Sequence, residues 1–198
     1  MENPFGSTIS QEKSPQELSE AQLERELRLE VKKTFEHLVR SSIGEGNDGI
    51  VVGFDREALN GWCAKFHKLE YHANEFQLMQ KAFALGKQVP RPFMEIPEKH
   101  LFIMEKLHGE TLEELFKKQV KFSSEFIEEL EEISADFCEQ FTHGDFFPRN
   151  IFVENPEIEE GILLSGTPII IDLDRSSLAS SDEYQKVHGW FGARRVMS

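Results

Sequence analysis

Two stretches constrain this chain most. In FTHGDFFPRNIFV, Phe141 to Val153, an apolar run is interrupted by His143, Asp145 and Asn150; in TPIIIDLDRSS, Thr167 to Ser177, a second apolar run ends in Asp172 and Asp174. Polar groups taken out of water destabilise a fold unless they find partners, so the chain must bring these side chains to a surface or to one another. Pro148 excludes a regular helix through Asp145 and Asn150, and the buried run before Asp172 can pair with the strand that starts at Asn150. The three groups then converge. Two carboxylates and an amide oxygen are hard ligands of the kind that hold Mg2+ while leaving positions for water and phosphate oxygens. A remaining carboxylate can orient a hydroxyl, as phosphoryl transfer requires. Singly, each residue is more readily a turn cap or a strand end; together they favour a site.

The chain has 198 residues, 39% of them hydrophobic, enough to bury a core in one domain or two small lobes. Its net charge of -14 argues against nucleic acid, whose binding depends on clustered basic groups. A metal-bound nucleotide or a basic partner fits better. Cys63 and Cys138 lie in apolar segments without metal-ligand spacing, which points away from a disulfide scaffold or zinc and toward a reducing compartment. No apolar run is long enough to span a membrane, and the N-terminus lacks the basic and apolar blocks of a signal peptide, so the expected location is cytoplasmic.

Residues 1–18 read as a polar tail without fixed structure. Ser19 and Gln22 predict a capped helix with Leu23, Leu27, Val31, Phe35 and Leu38 on one face. An Asn-Asp-Gly turn and the runs GIVVG and GWCAKFH then predict a small antiparallel sheet. A helix follows from Leu69 to about Leu85, with Leu69, Ala73, Phe76, Met79 and Phe83 inward and Gly86 as its stop. VPRPF is extended, HLFIMEKL a buried strand and GETLEELFKK a short helix. A longer helix from Ser123 or Ser124 buries Phe126, Leu130, Ile133 and Phe137. NIFV and PIIID complete the pattern as short strands joined by an acidic connection. This order predicts an α+β protein, with a sheet-rich first lobe at 19–107 and a helical second lobe at 108–198.

Gly44, Gly46 and Gly49 form a G-x-G-x-x-G pattern, but the β-branched residues directly after it make the loop a hairpin rather than a strand-to-helix turn. Glycines there let backbone amides approach phosphate oxygens, although an ordinary turn reads the same way. Lys65 lies within an apolar strand, where an ammonium needs a partner, and Glu75 on the next helix can supply one. Lys68 and Glu70 are fallback candidates, and Lys65 and Glu75 as solvent-facing residues are the simpler alternative.

With these residues assembled, the chain resembles the protein-kinase-like superfamily over about Ile43 to Arg175. GEGNDGIV fits the Gly-rich loop with its following valine, Val51; CAK fits the strand lysine, Lys65; and Glu75 fits the helix glutamate. HGDFFPRN fits the catalytic loop, with Asp145 as base and Asn150 as metal ligand. IDLD fits the metal-binding segment, with Asp172 as principal ligand and Asp174 assisting. The resemblance implies a two-lobed kinase-like fold, ATP and Mg2+ as cofactors, and a hydroxyl-bearing acceptor, protein or small molecule. It also implies an adenine pocket bordered by Met104, with Glu105 to Leu107 as the hinge.

Details look less like ordinary protein kinases than like RIO-type, aminoglycoside phosphotransferase, choline kinase-like and lipopolysaccharide core kinase relatives. Gly144 stands where arginine is common, Pro148 follows the aminoglycoside and choline kinase pattern, and IDLD replaces Asp-Phe-Gly. Lys65 and Glu75 are closer in sequence than is usual. Little chain follows Asp174, so the second lobe is expected to be truncated, with Phe126, Ile133 and Phe137 incompletely covered. A protein partner or second copy would then engage through Trp190, Phe191, Arg194 and Arg195. An atypical protein Ser/Thr kinase ranks marginally ahead of a small-molecule or glycolipid kinase and of a pseudokinase binding module, with the acidic surface favouring a basic protein or an aminated acceptor.

Overall fold

The computed structural model describes residues 19–34, 42–45, 49–54, 57–67 and 74–191. Helix α1 (Glu20–Thr34) opens at Ser19, whose N–H and hydroxyl both donate to Gln22 Oε1, the glutamine half of a capping box. Its stripe buries Leu27 and Val31, with Leu23 packed beside them. Phe35, Leu38 and the 1–18 tail lie outside the described residues.

The first lobe is a five-stranded antiparallel sheet of β1 (Ser42–Glu45), β2 (Gly49–Gly53), β3 (Trp62–His67), β4 (Pro92–Ile96) and β5 (Leu101–Glu105), in the order β1-β2-β3-β5-β4. Side chains alternate across a strand, so β3 sends Trp62, Ala64 and Phe66 to one face. There they join Val52, Leu101 and Ile103 under Leu27 and Val31 of α1. Cys63, Lys65 and His67 take the other face, opposite Gly53, Val51 and Gly49 of β2 and, for the first two, Met104 and Phe102 of β5. The same alternation that builds a dry outer face thus delivers the lysine to the inner one.

Helix α2 (Glu75–Ala84) covers that inner face, burying Glu75, Phe76, Met79 and Ala82. Phe83, expected inward, is 45% exposed. With about 100° between residues, Glu75, Met79 and Ala82 form the centre of the stripe and Phe76 and Phe83 its flank. That flank is covered at Phe76, whose ring centroid lies 5.6 Å from that of Phe102, and open at Phe83. The proposed first turns of this helix, including Leu69 and Ala73, lie outside the described residues. Gly86, at φ +75°, ends the helix as expected. The next two residues tie the lobes together: Lys87 Nζ donates to Asp136 Oδ1 at 2.8 Å, and Ile170 N–H to the Gln88 carbonyl at 2.8 Å.

The second lobe comprises β6 (Gly109–Thr111), α3 (Leu112–Lys117), β7 (Lys121–Phe122), α4 (Ser124–Cys138), β8 (Ile151–Glu159), β9 (Ile162–Ile170) and α5 (Lys186–Phe191). GETLEELFKK is therefore a strand before it is a helix, because Thr111 is extended and caps α3 through a complete capping box with Glu114. Ser123 caps α4 by accepting the Phe126 N–H at 3.1 Å. The two short strands predicted around the acidic connection are instead one long hairpin: β8 and β9 pair from Ile151–Ile170 out to Glu159–Ile162. Its tip, Glu160 and Gly161, has φ of +50° and +79°, the paired positive values that a two-residue hairpin turn needs. Asn155 and Pro156 mask the alternation because they sit where the register shifts between Glu154 and Glu157. The sheet order is β6-β8-β9-β7.

The core here is aromatic. Phe122 lies 5.3, 5.8 and 5.1 Å from Phe116, Phe126 and Phe191 between ring centroids. Helix α5 buries Val187 and Phe191, and Trp190 packs 5.6 Å from Phe146. The expectation of an uncovered second lobe is overturned: Phe126 and Phe137 are buried and Ile133 packs on the same cluster. The chain before α5 is bound along α4 and the following loop, through Thr142–Ser177 pairing and the Ser181 N–H on the Cys138 carbonyl. Phe191 fills the core and Trp190 leans on it, rather than both forming an exposed contact surface; Arg194 and Arg195 lie outside the described residues. Among the described residues no helix is long and apolar enough to cross a membrane.

Phe191→Ala should lower unfolding stability by about 3–5 kcal/mol, whereas Phe83→Ala should change it by less than about 0.5 kcal/mol, as chemical denaturation measures. Comparable small losses in both would contradict the role of α5 as a plug.

Candidate active site

Lys65 is held between two carboxylates from distant parts of the chain. Its Nζ lies 2.7 Å from Glu75 Oε1 and 2.5 Å from Asp172 Oδ1. Burial opposes the ammonium's charge, but Glu75 and Asp172 outweigh it and hold the lysine above its ordinary value. Burial pushes the Glu75 carboxyl up, against the pull of Lys65. The pairing expected between Lys65 and Glu75 is therefore present, and Asp172 joins it. Asp172 has φ +63° and ψ +63°, a left-handed conformation that aspartate tolerates better than most residues.

A second cluster forms on the loop before β8. Asn150 Nδ2 donates to the Asp145 carbonyl at 2.8 Å and to Asp145 Oδ2 at 3.1 Å, which leaves the amide oxygen as a donor atom for a cation. Arg149 reaches both Asp145 oxygens, at 2.7 and 2.8 Å. Burial alone would raise the Asp145 carboxyl; Arg149, Asn150 and the charge of Arg175 hold it below the ordinary aspartate range. The two clusters are joined by backbone: Ile171 N–H donates to the Asn150 carbonyl at 3.0 Å, one residue before Asp172. His143 is fully buried and lies 2.9 Å from the Ile171 carbonyl. Burial lowers its pKa against the Ile171 carbonyl and the neighbouring acids, which raise it; a carbonyl oxygen can only accept, so Nε2–H is the donor in this contact.

Gly144 is required twice over. Its φ is +76°, and a Cβ there would stand 2.6 Å from the Arg175 carbonyl oxygen. The glycine at this position is thus a consequence of how closely the Asp172–Arg175 segment packs on the loop. Beneath it, Glu183 Oε2 accepts the N–H groups of His143 at 2.7 Å and Gly144 at 3.2 Å. Neither Glu183 nor Arg149 stands out in the sequence, since each is one charged residue in a segment with others.

The remaining candidates fall around these clusters. Val51 is directly opposite Lys65, and Gly44 opposite Val51, so the glycine hairpin borders the lysine. A Cβ on Gly49 would lie 2.7 Å from the Phe66 carbonyl oxygen, a close approach that only glycine permits. Gly46, Lys68 and Glu70 lie outside the described residues. Met104 shares the Lys65 face, two strand positions away through its partner Cys63. Glu105 ends β5, its N–H on the Arg91 carbonyl at 2.9 Å, and Leu107 follows in the connection to the second lobe. Asp174 lies in the turn after Asp172, and its charge reaches Glu75. Cys63 is buried, its thiol pushed up to about 12, and Cys138 is also buried and free. Neither is a reactive thiol.

A magnesium ion suits this donor set in one way only. Among the described residues no group of three or more His, Cys, Asp and Glu side chains gathers to hold a metal. Asp172 and the Asn150 amide oxygen are hard donors few in number, and Mg2+ is the cation that completes its shell with water and phosphate oxygens.

No protein-family model matches the chain, and no curated protein matches it in sequence. Solved structures do. The Rio2 kinase–ADP/Mg2+–phosphoaspartate complex from Chaetomium thermophilum aligns over 84% of this chain and 57% of its own, with TM-score 0.50 and 16% identity. Another structure of Rio2 kinase from the same organism aligns over 91% and 65%, with TM-score 0.58 and 18% identity. WaaP in complex with acyl carrier protein aligns over 81% and 73%, with TM-score 0.51 and 14% identity. The chain spans less than two thirds of the Rio2 kinase chains it matches. These likenesses identify the class of fold: the chain has the two-lobed protein-kinase-like fold, shared with Rio2 kinase and WaaP.

The Glu183 contacts set a pH test. Burial would raise this carboxyl, but the His143 and Gly144 N–H donors and Lys186 outweigh it and hold it below its ordinary value of 4.5. Its folded form binds the proton less tightly than the unfolded chain, so its stabilisation is present above pH 4.5 and is lost as pH falls through the folded value. Glu183→Gln should be less stable than the parent at neutral pH by about 1–3 kcal/mol, with the difference shrinking below pH 4.5 in acid-dependent denaturant titrations. A difference independent of pH would show that the carboxylate charge is not what anchors the loop.

Proposed function

We propose that this protein is a phosphotransferase that uses ATP with Mg2+ and moves the γ-phosphoryl group to a hydroxyl acceptor. The observation that carries the reading is Lys65 bound at once to Glu75 and Asp172, with Asp145 and Asn150 one backbone hydrogen bond away. Lys65, fixed by Glu75, is suited to phosphate oxygens. Asp172 and the Asn150 amide oxygen would hold Mg2+, which neutralises phosphate charge when bound, with Asp174 in support. The Gly44–Gly49 hairpin and Val51 would cover the nucleotide, and Met104 with Glu105 to Leu107 would border the base.

Asp145 positions the acceptor. An aspartate carboxylate is a weak base, which suits a loose transition state in which the hydroxyl proton leaves late. The acceptor oxygen–phosphorus bond forms as the β–γ bridge of ATP breaks, ADP departs, and the hydroxyl proton passes toward Asp145. A nucleotide-binding module without turnover is the second reading, supported by Arg149 occupying both Asp145 oxygens.

Asp145→Asn should abolish γ-phosphate transfer, by at least about a hundredfold, while leaving Mg·ATP affinity within about threefold. Asp172→Asn should weaken Mg2+-dependent ATP binding itself. Calorimetric titration of ATP with and without Mg2+, beside radiolabel transfer to mixed hydroxyl acceptors, checks both. Binding that ignores Mg2+ and both substitutions would contradict the assignment; binding without any transfer would favour the second reading.

A further inference from the structure

The proposed function gives Arg149 no role on the nucleotide, yet Arg149 stands on Asp145, the carboxylate proposed to position the acceptor. Besides its bonds to Asp145, its guanidinium carbon lies 4.8 Å from the Phe147 ring centroid, and 51% of the side chain is exposed. Phe147 is itself an exposed aromatic, and Lys186 Nζ lies 5.7 Å from the same ring. Arg175 is brought against the loop by the Gly144 packing, and its charge reaches Asp145. The acids of this cluster are its inner layer: Asp145 and Glu183 are engaged by Arg149, Asn150, Lys186 and backbone N–H groups. Exposed cations are its outer layer, on a molecule whose net charge is -14.

A planar guanidinium laid on an aromatic ring is held in orientation, and its fork of N–H donors matches an oxyanion. We propose that Arg149, flanked by Lys186 and Arg175, binds an oxyanion that the acceptor carries beside its hydroxyl. The substrate class is then an anionic alcohol, phosphate- or carboxylate-bearing, and not the basic protein or amine that whole-molecule charge suggests. The oxyanion also draws Arg149 from Asp145 and bares that carboxylate to the hydroxyl, so occupied Asp145 oxygens describe the acceptor-free state. This assignment rests on the phosphotransferase reading, but it is tested by binding, which does not depend on turnover.

The test is titration of the full chain, saturated with Mg2+ and ADP, with glycerol 3-phosphate, glycerate and ethanolamine, followed by calorimetry and by the Arg149 Nε–H NMR signal. Glycerol 3-phosphate and glycerate should each bind at least about tenfold more tightly than ethanolamine, the size expected for one charge-assisted contact, and should shift the Arg149 signal. Arg149→Gln should erase the difference and Arg149→Lys should retain part of it, with thermal melts confirming that both variants fold. Ethanolamine binding as tightly as either anion, or an anion preference untouched by Arg149→Gln, overturns the proposal. Loss of γ-phosphate transfer with the anion preference intact would instead count against the phosphotransferase reading alone.

Discussion

The Lys65 ammonium ties the two lobes into one site. It leaves the inner face of the first-lobe sheet, meets Glu75 at the first residue of α2, and reaches Asp172 in the turn just beyond β9. Such a buried arrangement is weak evidence for net stability, because desolvation offsets most of the attraction. Removing Lys65, however, leaves the buried Glu75 carboxylate without its cation, which costs several kcal/mol. The arrangement is thus better understood as a device that fixes where three elements meet. The Lys87–Asp136 pair and the Gln88–Ile170 backbone bond hold the same lobes at a second point, so the lysine works in a frame that is fixed independently of it.

From that constraint the rest of the site follows. Asp172 must turn back toward Lys65, and it does so in a left-handed conformation. The residues after it then pack on the loop so closely that Gly144 admits no side chain. The loop in turn needs something beneath it, which Glu183 supplies through two backbone bonds. The C-terminal chain therefore serves the site from behind, through Glu183, while Phe191 and Val187 serve the core.

Much of this was legible in the sequence, for identifiable reasons. Lys65 was visible because its ammonium falls within an apolar strand, between Ala64 and Phe66 of the dry face. Asp145, Asn150 and Asp172 were visible because polar groups inside apolar runs demand partners. Other features left no such mark. The β8–β9 hairpin was hidden by Asn155 and Pro156 at its irregular register, and Phe83 carried a helical spacing that only the extent of the covering sheet could refuse. Glu183 and Arg149 act through tertiary placement, which no local pattern encodes. The exposed C-terminal aromatic surface was an inference from residue type; in the fold, Phe191 lies in the aromatic core and Trp190 packs against it.

The central claim is that Lys65 is a phosphate ligand held in waiting by Asp172. A crystal structure of the chain with Mg2+ and a non-hydrolysable ATP analogue tests it most directly. The account predicts Lys65 Nζ still on Glu75 but moved from Asp172 to a nucleotide phosphate, with the metal bound by Asp172 and the Asn150 amide oxygen. Nucleotide bound away from Lys65, or a metal that ignores both Asp172 and Asn150, would contradict it.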